Sequence, residues 1–208
     1  LIRNLINRMV RGADRAKTIS ELRIMVEKRA AFAAQRTVVA YCEVKAGVNK
    51  DRLFADPGFQ TALAFCRWET FAVVLADAVL ALESHLRPRL ADHLDAFHAV
   101  LRTVYRDALA SQGVPAHRTD WSDAVATFDT RLDQTRLAAP RSPTDVARAS
   151  VKAVFDTLPV HPDDRRFDGV AIKGGVLFNF LALWEAVTKG MDEDAIVAAI
   201  AAHPPGAP

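Results

Sequence analysis

Apolar residues recur three and four positions apart along nearly the whole chain, the spacing of one face of an α-helix. No stretch alternates β-branched and polar residues with the period of a strand. In residues 1–17 the stripe Ile2, Leu5, Ile6, Met9 and Val10 predicts an amphipathic N-terminal helix. A second helix opens at Thr18, where Glu21 completes a capping-box spacing, and runs to residue 46, where Gly47 stops it. Residues 51–55 predict one short turn, and Pro57 starts a long helix that ends at residue 86 because Pro88 disfavours helical geometry at Arg87. Leu90, Leu94, Phe97, Leu101, Val104 and Ala108 then form a narrow seam closed by Gln112 and Gly113.

A fifth helix, capped at Thr119 or Asp120, repeats the spacing through Trp121, Val125, Phe128 and Leu132. Ser142 with Pro143 behind it launches a sixth through Val146, Val154 and Phe155, and residues 159–168 read as a loop. Residues 170–189 are apolar almost all round, which predicts a core helix; Gly174 and Gly175 mark either a close neighbour or a break. A hairpin of 170–172 with 176–180 is the alternative there. Asp192 caps a last short helix, and 204–208 form a flexible tail. The expected architecture is therefore all-α, a single-domain bundle of about six to eight helices over residues 1–208, at least two thirds helical.

Composition agrees with a globular chain. Half of the 208 residues are hydrophobic, 25% are charged and the net charge is +2, values that exclude disordered, collagenous and low-complexity classes. The stretch 62–82 is long enough to interest a membrane, but Arg67, Glu69 and Asp77 interrupt it, so it reads as a buried central helix. Cys42 and Cys66 form no C-x-x-C pair and fit a reducing compartment. Twenty arginines against seven lysines point to a GC-rich bacterial genome.

Catalytic signatures are lacking: there is no nucleophile elbow, no phosphate-binding loop, no dinucleotide fingerprint and no H-E-x-x-H, and no cofactor or metal is implied. Asp95 and His98 have the i, i+3 spacing of half a di-iron site, without a second such pair, so Asp92, His93, Asp95 and His98 read as a solvated face. Glu69 and Asp77 lie inside the most apolar helix and must be paired or protonated there, with Arg67, Arg36 or Arg29 as partners. Phe65, Trp68, Phe71, Phe178, Phe180 and Trp184 are either core or the lining of an apolar ligand pocket.

Charge is unevenly spread. Residues 1–36 hold nine Lys or Arg against three Asp or Glu, leaving 18 basic and 22 acidic groups in the remaining 172. Arg3, Arg8, Arg11, Arg15 and Lys17 flank the first apolar stripe, the pattern of a helix at an anionic membrane surface or in an acidic protein groove. No basic recognition helix or aromatic-interleaved basic strand points to nucleic acid. The expectation is a non-catalytic helical interaction protein in the cytoplasm or at the inner membrane's periphery. It would contact a protein or an anionic membrane, and the chain is also compatible with a homo-oligomer. A carrier of an apolar, lipid-like molecule is the alternative, and a carboxylate- or metal-dependent enzyme the third.

Overall fold

The computed structural model describes residues 15–202. The expectations for Arg3, Arg8 and Arg11, for the first apolar stripe and for the tail at 204–208 lie outside them. Residues 15–17 are extended, so the expected first helix does not reach Lys17: Ala16 donates its N–H to Gly190 at 2.8 Å and accepts that of Asp192 at 3.0 Å. Helix α1 (Ile19–Ala46) begins with the reciprocal cap expected from its sequence. Thr18 Oγ1 accepts the Glu21 N–H at 3.2 Å, and the Glu21 carboxylate accepts that of Thr18 at 3.1 Å. Gly47 ends it with φ near +51°, a conformation side chains other than glycine rarely adopt.

After a 3-10 turn and the short α2 (Lys50–Ala55), Asp56 caps α3 (Pro57–Leu86) by accepting the Phe59 N–H at 2.7 Å. From Thr70 to Leu86 every residue of α3 except Val73 and His85 is buried, which makes α3 the central helix. Two 3-10 turns carry the chain past Pro88 to α4 (Leu94–Gln112), four residues later than the seam suggested, with Leu90 buried ahead of it. Phe97, Leu101, Val104 and Ala108 are buried and Leu94 half-buried, while Asp95 and Arg106 face solvent. Leu101→Ala is expected to lower the unfolding free energy by about 3 kcal/mol in urea unfolding, whereas Asp95→Ala should change it little.

Helix α5 (Ser122–Thr135) packs on α3 and α4. The expected sixth helix is split at Ala147 into α6 (Pro143–Val146) and α7 (Arg148–Thr157), and the expected loop contains α8 (Pro162–Phe167). Helix α9 (Gly169–Gly190) is uninterrupted, so Gly174 and Gly175 mark neither a break nor a hairpin. Asp192 caps α10 (Glu193–Ala201).

Of the described residues 84% are helical, in ten α-segments of which seven have nine or more residues. The one strand-like pairing among them is the isolated bridge between Ala16 and Met191. The larger core runs through α1, α3, α4, α5, α9 and α10. A smaller one, including Val38, Cys66, Val154 and Ile172, fills the end where α1 finishes and α9 begins.

Candidate interaction surface

Two carboxylates are completely buried in α3, and both are matched from inside the chain. Asp77 is paired with Arg131 of α5, and its Oδ2 accepts the Ser150 N–H at 2.8 Å and the Ser150 hydroxyl at 2.6 Å. Ser150 lies in the first turn of α7, so Asp77 acts as a cap donated by another helix. That contact accounts for the break at Ala147. Burial pushes the Asp77 carboxyl above the usual carboxylate range, while Arg131 and Ser150 pull the other way.

Glu83, six residues on, was not singled out from the sequence, although a glutamate in an apolar run with arginine four residues later is a signal of a buried pair. Arg87 grips it with Nε and Nη2 at 2.6 and 2.8 Å, the Thr135 hydroxyl lies 3.1 Å away, and His98 Nε2 is at 3.4 Å. Burial works to raise its pKa, but these hydrogen bonds outweigh it and hold the value to about 2. His98 is therefore buried, not part of a solvated face, and Asp95 turns away from it to Arg136 at 2.7 Å.

Glu69 is only partly buried. The expected arginines do not serve it: Arg118, beyond α4, holds both its oxygens at 2.7 and 2.6 Å, and His117 adds a contact at 2.8 Å. Burial raises its pKa, yet Arg118 and His117 more than compensate, and the group stays below the usual range. Asp77 and Glu83 tie α3 to neighbouring helices, and Glu69 ties it to the connection between α4 and α5. Among the described residues, no three His, Cys, Asp or Glu side chains are grouped as metal ligands.

The six aromatic residues do not share one pocket. Phe71 and Phe180 belong to the core, Trp68 and Trp184 are half-buried, and Phe65 and Phe178 are exposed. Trp68 and Phe71 border a depression of about 200 Å³ between α1 and α3, and Trp184 meets His85 edge-on. Phe178 belongs to a different place.

That place is the face made by α1 and α9, which run antiparallel. Ala16 ties the start of α1 to the end of α9, while Tyr41 and Lys45 at the other end each reach Asp168 at 2.8 Å. Helix α9 turns Ile172, Val176, Phe180, Leu183 and Val187 into the core. Its opposite face carries Val170, Ala171, Gly174, Gly175, Phe178, Leu181 and Ala182, all exposed and uncharged, with exposed Lys173 at the edge and the Glu185–Lys189 ion pair on the same side over the last two turns. An ordinary surface helix has a polar face there. The most apolar eighteen residues of α9 average 1.5 in hydropathy, yet only 28% of them are buried, which corrects the expectation of a core helix. It is also the one helix among the described residues long and apolar enough to cross a membrane.

Helix α1 extends the strip with Phe32, Ala40 and Val44, and Phe32 and Phe178 are 62% and 70% exposed. Between the helices lie depressions of about 290 and 240 Å³ that meet at Asn179. Arg29 and Arg36, seven residues apart on α1, line the first of them. Both are exposed, and neither takes part in an ion pair or a side-chain hydrogen bond among the described residues. Their spacing around Phe32 was the sequence signal for this site. Of the residues expected to meet an anionic partner, Arg15 and Lys17 are described and exposed.

The two central glycines of α9 have no packing reason to lack a side chain. A Cβ at Gly174 or Gly175 meets no atom within 4 Å, whereas at Gly190 it would come 2.6 Å from Met25 Sδ. Gly175→Ala is therefore expected to raise stability by about 0.5 to 1 kcal/mol in thermal unfolding. A loss would show that α9 needs the glycine for its own packing. Comparison with protein-family profiles, with curated proteins and with solved structures gives no match.

Proposed function

We propose that this protein is a non-catalytic interaction module that binds through the apolar face of α1 and α9, working in the cytoplasm or on the inner membrane's periphery. The observation that carries the reading is α9 itself: Val170, Ala171, Gly174, Gly175, Phe178, Leu181 and Ala182 are exposed and uncharged, with Lys173 at the edge and the Glu185–Lys189 pair closing the strip, on a helix whose other face already completes the core. An exposed strip of this kind on a folded chain marks an interaction site. The sequence points to the basic segment 1–17, of which residues 15–17 are described; the face of α1 and α9 offers an apolar surface with its own arginines beside it.

The test is site-specific photocrosslinking in cells that make the protein, with benzoylphenylalanine at position 178 and, as a control, at exposed position 106. Adducts at 178 and none at 106 support the reading. No adduct at 178, or equal adducts at both, overturns it.

A carrier of an apolar ligand is the second reading, favoured by the two joined depressions of about 290 and 240 Å³. Each falls just short of the usual range of about 300 to 1,000 Å³ for small-molecule sites. Mass spectrometry of the purified protein under native conditions tests it, through a bound lipid whose occupancy falls when Gly175→Leu narrows the groove.

A further inference from the structure

We infer that the partner of this face is the surface of an anionic bilayer, on which α9 lies flat with Phe178, Leu181 and Phe32 inserted between the lipids. The inference rests on the reading of the face as a binding surface and names what covers it.

Charge decides among the occupants. Arg29 and Arg36 stand beside the strip, and Lys173 and Arg166 lie near the end where α9 begins; all four are exposed and outside every ion pair among the described residues. Of the acidic groups nearby, Glu185 is paired with Lys189 and Glu43 with Lys50, while Asp164 and Asp168 share Lys45 and Asp163 lies beside His161. Among the described residues the four free cations outnumber the acidic charge left over, and the balance is positive. Two copies meeting face to face would bring like charges together, so a second copy of this chain fits poorly. An anionic partner fits, and the composition of α9 selects a membrane. Its residues are apolar enough for a hydrocarbon environment, and its large side chains project outward instead of forming a deep cleft for a partner's side chains.

The helix does not cross the bilayer in this arrangement. Its inner face, Ile172, Val176, Phe180, Leu183 and Val187, stays in the core, and only the outer face meets lipid. At about 1.5 Å per residue, the stretch from Val170 to Ala182 forms a contact roughly 20 Å long, ending where the Glu185–Lys189 pair reaches the headgroups. Basic groups near the headgroups add roughly a fivefold gain in affinity each, screened over a Debye length of about 10 Å at 0.1 M salt.

The experiment is co-sedimentation of the full chain with vesicles of phosphatidylcholine alone and of phosphatidylcholine mixed with phosphatidylglycerol. Four proteins are compared: the parent, Phe178→Asp, the double variant Arg29→Glu/Arg36→Glu, and the control Leu137→Asp. All substituted positions are exposed, and circular dichroism melting checks that each variant folds. Binding to the anionic vesicles only, weakened by salt, is expected for the parent and the control. Phe178→Asp should abolish it and the double variant should reduce it on the order of 25-fold or more. Equal binding to both vesicles, no binding to either, or binding that survives both variants overturns the inference. If position 178 crosslinks to a protein in cells while the vesicles stay unbound, the membrane is the wrong partner and the interaction module stands. If position 178 yields no adduct and the vesicles stay unbound, both fail.

Discussion

Replacing Glu83 by alanine is expected to lower the unfolding free energy by about 3 to 5 kcal/mol, a cost typical of removing one partner from a buried ion pair. Its side chain is fully buried, and the Arg87 guanidinium and His98 would be left facing a void in the centre of the bundle. The charge itself is isolated by Glu83→Gln, measured by urea unfolding across pH. Because the folded pKa is depressed from 4.5 to about 2, the stabilisation is complete above pH 4.5 and is lost as pH falls toward 2. The gap between parent and variant should therefore be about 3 kcal/mol at neutral pH and close through that window. Asp77, whose pKa burial raises, works with the opposite sign, but it is present in both proteins and cancels in the difference. A gap that is constant with pH would mean that Glu83 contributes by shape and not by charge.

Asp77→Ala should cost a similar amount, about 3 to 5 kcal/mol, and should do so in a particular place. The substitution strands Arg131 and removes the acceptor for the first turn of α7, so two helices lose their tie to α3 together. Amide hydrogen exchange reads this directly: protection of Ser150 and its neighbours in α7 should fall before that of α4. Asp77→Asn, which keeps an acceptor for Ser150 without the charge that burial disfavours, should cost less than the alanine variant and leave α7 better protected. If α7 exchanges no faster than α4 in Asp77→Ala, the helix is capped by something else.

Much of the fold was legible because its signals are local. Thr18 with Glu21, Pro57, Ser142 with Pro143, and Asp192 mark helix starts through contacts made within one turn, and the α4 seam is a property of four turns. The errors came where a distant group intervened. The sixth helix breaks because a carboxylate 73 residues earlier takes the N–H of Ser150, and residues 15–17 are extended because the end of α9 pairs with Ala16. The candidate site was less legible. Asp77 and Glu69 need partners by their place in an apolar run, yet the arginine of Asp77 lies 54 positions away and that of Glu69 lies 49 away. The aromatic set was read as one group and is divided among the core, a small depression and an open face.

By itself the sequence determined that the chain is helical, where most helices start and stop, which residues of α4 face inward, and that Glu69 and Asp77 of α3 require partners. It did so because caps, proline geometry and apolar period act over a few residues. Only the tertiary structure decided which of two helices, each apolar nearly all round, is surrounded. Helix α3 is enclosed by α1, α4, α5, α6 and α7, whereas α9 has neighbours on one side and presents the other to solvent. The hydrophobic effect is non-directional, so an apolar helix carries in its sequence a demand for cover but no record of whether this chain supplies it.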